Sequence, residues 1–353
     1  MRANDTILNK RQDAVLAFIE REKKVSIGRI FGYIEKEFGN ITRITVSRDL
    51  GKIMGLGLIQ RGGSGRGVFY VISSQYATVK KIDVEKYFSI DQGKREIIGK
   101  FNFGIFDRLK NIFTEKEKRY LADLNDVYRD KIKKMPPDAL RKETERLSID
   151  FSWKSSEIEG NTYSLLETEQ LIKNQTLAKG HAKEEAIMIL NHKKALEYIR
   201  ENKNDFRVVS VSKIENIHAI LVGGLDVTKG LRKTLVRITG TDYVPLDNEF
   251  QIREALDKAC GLINGMENVF EKAVIMMLLI SYIQPFVDGN KRTGRLSGNA
   301  ILQALDVCPL SYRSMADIEY KKAVLLFYEQ NNVAYFKELF LEQFEFAVNN
   351  YFG

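Results

Sequence analysis

Residues 284–295 read Gln284-Pro285-Phe286-Val287-Asp288-Gly289-Asn290-Lys291-Arg292-Thr293-Gly294-Arg295. Asp288 to Lys291 forms a tight-turn sequence, with glycine where the backbone must come close to something. A helix is expected to start at about Lys291. The free N–H groups and positive dipole end of such a start hold anions. Arg292 and Arg295, three apart, share a helix face and can both grip phosphate oxygens. Asp288 beside a polyphosphate is a natural ligand, direct or through water, for Mg²⁺. Phe286 is expected to point inward and anchor the loop. Upstream, Lys272 to Ile283 reads as a central buried helix running into the turn. Its most apolar run, Val274 to Ile283, is too short to span a bilayer, so no membrane partner is expected.

Every position of this stretch but the first is compatible with the motif HxFx(D/E)GNxRxxR, and the chain resembles the Fic family over roughly residues 145–310. The resemblance implies a mainly α protein, its all-helical core carrying a β-hairpin flap. The implied activity is transfer of AMP from ATP to a Ser, Thr or Tyr hydroxyl of a target protein. By resemblance, Gly289, Asn290, Lys291, Arg292 and Arg295 bind the nucleotide. Backbone amides and Asn290 would take the α- and β-phosphates, Arg295 the γ-phosphate, and Asp288 the Mg²⁺. Lys291 stands where many members have glycine. The motif does not exclude UMP or another phosphorylated donor.

In the family the first motif residue is the histidine that takes the proton of the target hydroxyl. Here it is Gln284. A carboxamide has no basic lone pair near neutral pH, and general-base help is typically worth about 10² to 10⁴ in rate. Two explanations stay open. The chain is a natural Fic-like protein that binds ATP without efficient transfer, or Gln284 replaces the base of an otherwise active enzyme. No other histidine is an obvious substitute. His218 reads as part of a core helix, and His181 and His192 read as peripheral helix surface.

A second stretch, Ser155 to Asn161, resembles the family's inhibitory motif (S/T)xxxE(G/N) on a helix of about residues 148–160. The resemblance implies that Glu159 pairs with Arg295 and blocks placement of the γ-phosphate, with Ser155 one turn earlier on the same face. Lys233 to Asp242 is a strand-like island with Gly240 as a turn. The family's flap aligns a target segment by strand addition, which makes Arg237, Thr239 and Tyr243 candidate contacts.

Charge separates the chain into parts. Residues 1–80 hold fourteen Lys and Arg against seven Asp and Glu, a net of +7 out of +8 for all 353 residues. Three short helical patterns, with Ser26 and Thr42 as caps, precede two strands, Leu58 to Arg61 and Val68 to Ile72. Residues 1–75 therefore read as a winged helix-turn-helix (α+β). Ile44 to Leu50, followed by Gly57 to Arg61, resembles the recognition helix and first wing strand of bacterial repressors of that fold, which implies that DNA would meet Arg43, Thr45, Ser47 and Arg48 on the third helix and Arg61 and Arg66 on the wing. Protein contact or homodimerisation is the alternative use of such a module. Residues 76–114, rich in aromatics, read as a structured connector with some strand character, and residues 115–353 as the Fic domain. Cys260 and Cys308 stand apart without metal-ligand spacing. Two lone thiols, and a polar Met1 to Lys10 without a leader's apolar run, point to a cytoplasmic location.

Overall fold

The computed structural model describes residues 8–352, so most of the polar start of the chain lies outside the described residues. The chain divides into two compact units, Met1–Lys80 and Lys81–Gly353.

In the first unit α1 (Lys10–Glu22) is opened by a capping box between Asn9 and Gln12. Helix α2 (Ile27–Phe38) begins at Ser26 and stops at Gly39, and α3 (Arg43–Gly55) begins at Thr42. Each hydroxyl accepts from the backbone N–H three residues on, as its place before an apolar stripe predicts. Strands β1 (Ile59–Gly62) and β2 (Phe69–Ile72) pair antiparallel, Ile59 opposite Ile72, and Val25 bridges Tyr70 on the far side of β2. The expected strands are right to within one residue at each end. Val15, Ile19, Ile30, Ile34, Val46, Leu50 and Ile53 form the core between helices and hairpin. Asp49 of α3 is buried, and Arg11 (2.5 Å) and Gln12 (2.8 Å) of α1 satisfy it. A short helix, α4 (Ser74–Val79), closes the unit.

The second unit opens with α5 (Val84–Phe88) and two 3₁₀ turns. The strand character expected of the connector reduces to one parallel bridge, Lys100 with Val244. Its aromatics do pack on the body: Phe101 stacks on Tyr282 at 4.7 Å, and the Tyr87 hydroxyl donates to Glu329 at 2.7 Å. Helices α6 (Glu115–Lys134) and α7 (Pro137–Glu157) are separated where Met135-Pro136 interrupts the pattern, with proline tolerated at the first position of α7. Then come α8 (Leu165–Asn174), α9 (Lys183–Glu201), α10 (Val211–Leu221) and α11 (Glu249–Asn264). The chain ends with α12 (Val269–Ile283), α13 (Asn290–Ala304), α14 (Asp317–Gln330) and α15 (Ala334–Asn350).

Helix α12 is the hub, buried from Ala273 to Ile283 and packed by α11, α13, α14 and α15. A helix apolar all round needs such a cover. Its tightest neighbour is α13, where a Cβ at Gly294 would stand 2.9 Å from the Met277 carbonyl oxygen. No helix among the described residues is long and apolar enough to cross a membrane.

The unit is helical as expected, with one correction. Residues 233–242 form no strand, so the β-hairpin of the flap is not paired. The β-branched run has no partner strand in register. Instead its ends are pinned, one by Arg232 and the other by Tyr243.

Candidate functional site

Helix α12 stops because Gln284 takes a left-handed conformation (φ 52°, ψ 59°), with its N–H still donating to Ile280. The chain then loops through Phe286, which is fully buried and stacks on the His218 ring at 3.7 Å. Gly289, at φ 80°, provides the left-handed turn that opens α13, a conformation costly for any residue with a Cβ. The first N–H groups of α13 have no partner within the helix and face outward from its start.

The Asn290 carboxamide holds this loop together. Its oxygen accepts from the Phe286 N–H (2.9 Å), and its nitrogen donates to the Phe286 carbonyl (2.8 Å) and to Gln284 Oε1 (2.9 Å). Sequence reading placed that side chain against phosphates, whereas here the loop engages it. Gln284 is buried too. Its amide nitrogen donates to the Ser281 carbonyl (2.6 Å) and to the Tyr328 hydroxyl (3.2 Å). Both ends of the carboxamide are therefore hydrogen-bonded.

The two arginines have different environments. Arg292 is buried and donates to Asp288 at 2.7 Å. Its Nη1 is shielded from water without an acceptor, a costly arrangement unless a ligand oxygen completes it. Arg295 is fully buried beneath the end of α7. Its Nη1 and Nη2 donate to Glu159 Oε1, both at 3.0 Å, while Nε and Nη2 donate to Ser155 Oγ (3.0 Å) and the Ser155 carbonyl (2.8 Å). Its guanidinium also lies over the Tyr320 ring at 5.0 Å. Lys291 reaches the other oxygen of Glu159 at 2.8 Å. Burial alone would raise the Glu159 pKa. The charges of Arg295 and Lys291 outweigh it and hold the carboxyl down at about 2. The resemblance implied a pairing of Glu159 with Arg295 from a helix of about residues 148–160; here the two side chains are hydrogen-bonded, with Glu159 in the turn just beyond α7.

Asp288 remains largely exposed, with one oxygen on Arg292. Among the described residues no cluster of three metal-ligating side chains exists. Asp288 has a second carboxylate oxygen that could ligate a cation beside the start of α13.

Other expected residues are placed differently. Arg237 and Thr239 are exposed on the segment before Gly240. Tyr243 is buried, donates to the Tyr282 carbonyl at 2.8 Å and stacks on Tyr282, so it is a core residue rather than a target contact. His192, read as peripheral, is fully buried because α9 packs against α7, and its Nε2 meets Ser155 Oγ at 3.0 Å. Burial pushes its pKa down to about 3. In the first unit, Arg43, Ser47, Arg48, Arg61 and Arg66 are exposed, while Thr45 is half-buried and bonded to Thr42.

Sequence reading missed Arg232. It is buried, pairs with no carboxylate among the described residues, and its guanidinium donates to the carbonyls of Gln284 (2.6 Å), Thr234 (2.7 Å) and Leu246. It ties the root of the flap segment to the residue in the base position. In sequence it is one more basic residue ahead of a β-branched run, and nothing local marks it.

Residues 208–302 match the Fic/DOC family. A protein adenylyltransferase Fic of Culex quinquefasciatus is 28% identical over 180 residues, 48% of this chain and 35% of that relative. One of Nematostella vectensis is 26% identical over 199 residues, covering 55% and 47%. The chain thus spans less than half the length of these relatives. Among solved structures, Fic-1 of C. elegans (residues 134–508) aligns with TM-score 0.58 at 21% identity, covering 67% of this chain and 70% of that one. A Fic domain-containing signaling protein from Bacteroides thetaiotaomicron aligns with TM-score 0.56 at 17% identity, covering 65% and 94%.

Proposed function

We propose that the second unit, in which residues 208–302 match the Fic/DOC family, is a protein adenylyltransferase scaffold, held closed by Glu159 and impaired in transfer by Gln284. One observation carries the reading. Arg292, Arg295 and Lys291 converge with the opening of α13 on one small region, and Glu159 occupies Arg295 and Lys291. Three cations at a helix N-terminus suit a polyphosphate, and the carboxylate stands in for phosphate oxygens.

ATP would lie with its phosphates along the start of α13. A target hydroxyl would attack the α-phosphorus, forming the O–P bond as the bond to the β-phosphate bridging oxygen breaks and pyrophosphate leaves. Mg²⁺, held by Asp288 and phosphate oxygens, would supply charge neutralisation. The hydroxyl proton needs an acceptor at position 284, and Gln284 provides none. Arg232 fixes the backbone of that position relative to the flap segment, where exposed Arg237 and Thr239 would meet the target protein.

The test is labelling with ATP carrying its label on the α-phosphate, in the presence of Mg²⁺. We expect no self-labelling of the unmodified chain, weak labelling of Gln284→His, and the strongest labelling of Gln284→His combined with Glu159→Gly. An unlabelled double variant would overturn the reading.

One observation favours a second reading, in which the fold binds ATP without transferring it and serves a DNA-binding regulator. The Gln284 carboxamide is matched at both ends by Ser281, Tyr328 and Asn290, as expected of a residue the site is built around. That reading predicts ATP binding by Glu159→Gly with no labelling of the double variant.

A further inference from the structure

Arg295 is gripped in two separable ways by the end of α7 and the turn that follows it. Glu159 holds Nη1 and one Nη2 hydrogen, and Ser155 holds Nε and the other. Since Ser155 Oγ accepts from Arg295, its own proton must go to another acceptor, and His192 Nε2 is 3.0 Å away. That nitrogen accepts when the ring proton sits on Nδ1, which faces the Met188 carbonyl at 2.8 Å. The four groups form one directional chain, in which Arg295 donates to Ser155, Ser155 to His192, and His192 to Met188. Ser156 Oγ, 3.3 Å from Nδ1, donates to the Ser152 carbonyl at 2.7 Å. Burial keeps the His192 ring neutral, as the chain requires. None of these bonds involves Glu159.

Resting on the proposed nucleotide site, we infer that His192 is a positioning residue which, through Ser155, keeps Arg295 aimed at the phosphate site once Glu159 has moved away. Withdrawal of Glu159 frees Nη1 and one Nη2 hydrogen for ligand oxygens, while Ser155 retains the Nε edge and stops the guanidinium from turning. Helix α7 thereby supplies a permanent support, and the turn after it a removable block, for the same side chain.

The experiment uses the full chain carrying Glu159→Gly, with Mg²⁺-ATP and AMP affinities measured by calorimetry. His192→Leu should weaken ATP binding about tenfold, the worth of one hydrogen bond serving a charged group. AMP binding should stay within about twofold, because Arg295 would serve the terminal phosphate. His192→Gln can place an acceptor near the Nε2 position and should restore ATP affinity. His192→Asn keeps a polar group near Met188 but falls short of Ser155, and should behave like leucine. Equal ATP affinity in the Leu, Asn and Gln variants would overturn the inference, as would parallel losses of ATP and AMP. Failure of Glu159→Gly itself to bind ATP would instead overturn the proposed nucleotide site.

Discussion

Arg295 has no exposure, so its charge must be met inside the protein, and Glu159 is what meets it. Removing one partner of a buried pair typically costs about 3–5 kcal/mol, so anything that displaces Glu159 must bring oxygens to replace its carboxylate. Protonation does not release it near neutral pH. With its pKa held at about 2, Glu159 contributes stability that is complete above its usual value of 4.5 and is lost as pH falls towards 2. Two buried histidines act at higher pH. Burial lowers His192 to about 3 and His218 to about 4 from a usual 6.5. Between pH 6.5 and about 4 the unfolded chain binds protons that the folded one refuses, so stability falls with pH by roughly 1.4 kcal/mol per unit for each histidine. Urea unfolding at pH 6.5, 5.5 and 4.5 should show this slope, and His218→Phe, which retains a ring against Phe286, should reduce it by roughly 1.4 kcal/mol per unit. An unchanged slope would mean that His218 is already protonated in the fold.

At the scale of elements, the contact between α12 and α13 sets the distance between position 284 and the start of α13. Gly294 allows it. A methyl there would stand 2.9 Å from the Met277 carbonyl oxygen, and backbone cannot yield as a side-chain tip can. Gly294→Ala should therefore destabilise the chain by about 1–3 kcal/mol despite alanine's better helix propensity. A denaturation midpoint at or above that of the parent would refute this. The helices, their caps at Ser26 and Thr42, and the apolar run of α12 were legible because each depends on residues within a few positions. The pairing of Glu159 with Arg295 was legible only through the resemblance, since 136 residues separate them. His192 and Arg232 were not legible. Their burial is decided by the approach of α7 and by three carbonyls from separate segments, and a polar residue looks solvated until such partners are known. The flap misled because β-branched content reports a preference for pleated surface, and a strand needs a neighbour to pair with.

Over the whole chain, positive charge is concentrated in Met1–Lys80, while Lys81–Gly353 is close to neutral. A polyanion partner of the first unit would account for that separation. Arg43 and Arg48 are exposed on α3, and Arg61 and Arg66 lie on β1 and the tip that follows it, so one helix and one hairpin present cations to solvent. Ile44, 66% exposed on the same helix, is apolar surface of the kind that can meet a thymine methyl in a groove. If this unit binds duplex DNA, affinity should fall steeply with salt, because each neutralised phosphate releases counterion. The full chain, titrated with duplex from the region ahead of its own coding sequence between 50 and 200 mM salt, should give a linear log–log plot. Arg61→Ala with Arg66→Ala should reduce its slope by about 2, one unit per lost phosphate contact. Arg48→Ala should instead narrow the preference for that duplex over an unrelated one, since a side chain on α3 would face base edges. A flat salt response in the parent would remove DNA as the partner and leave the basic face to an acidic protein surface.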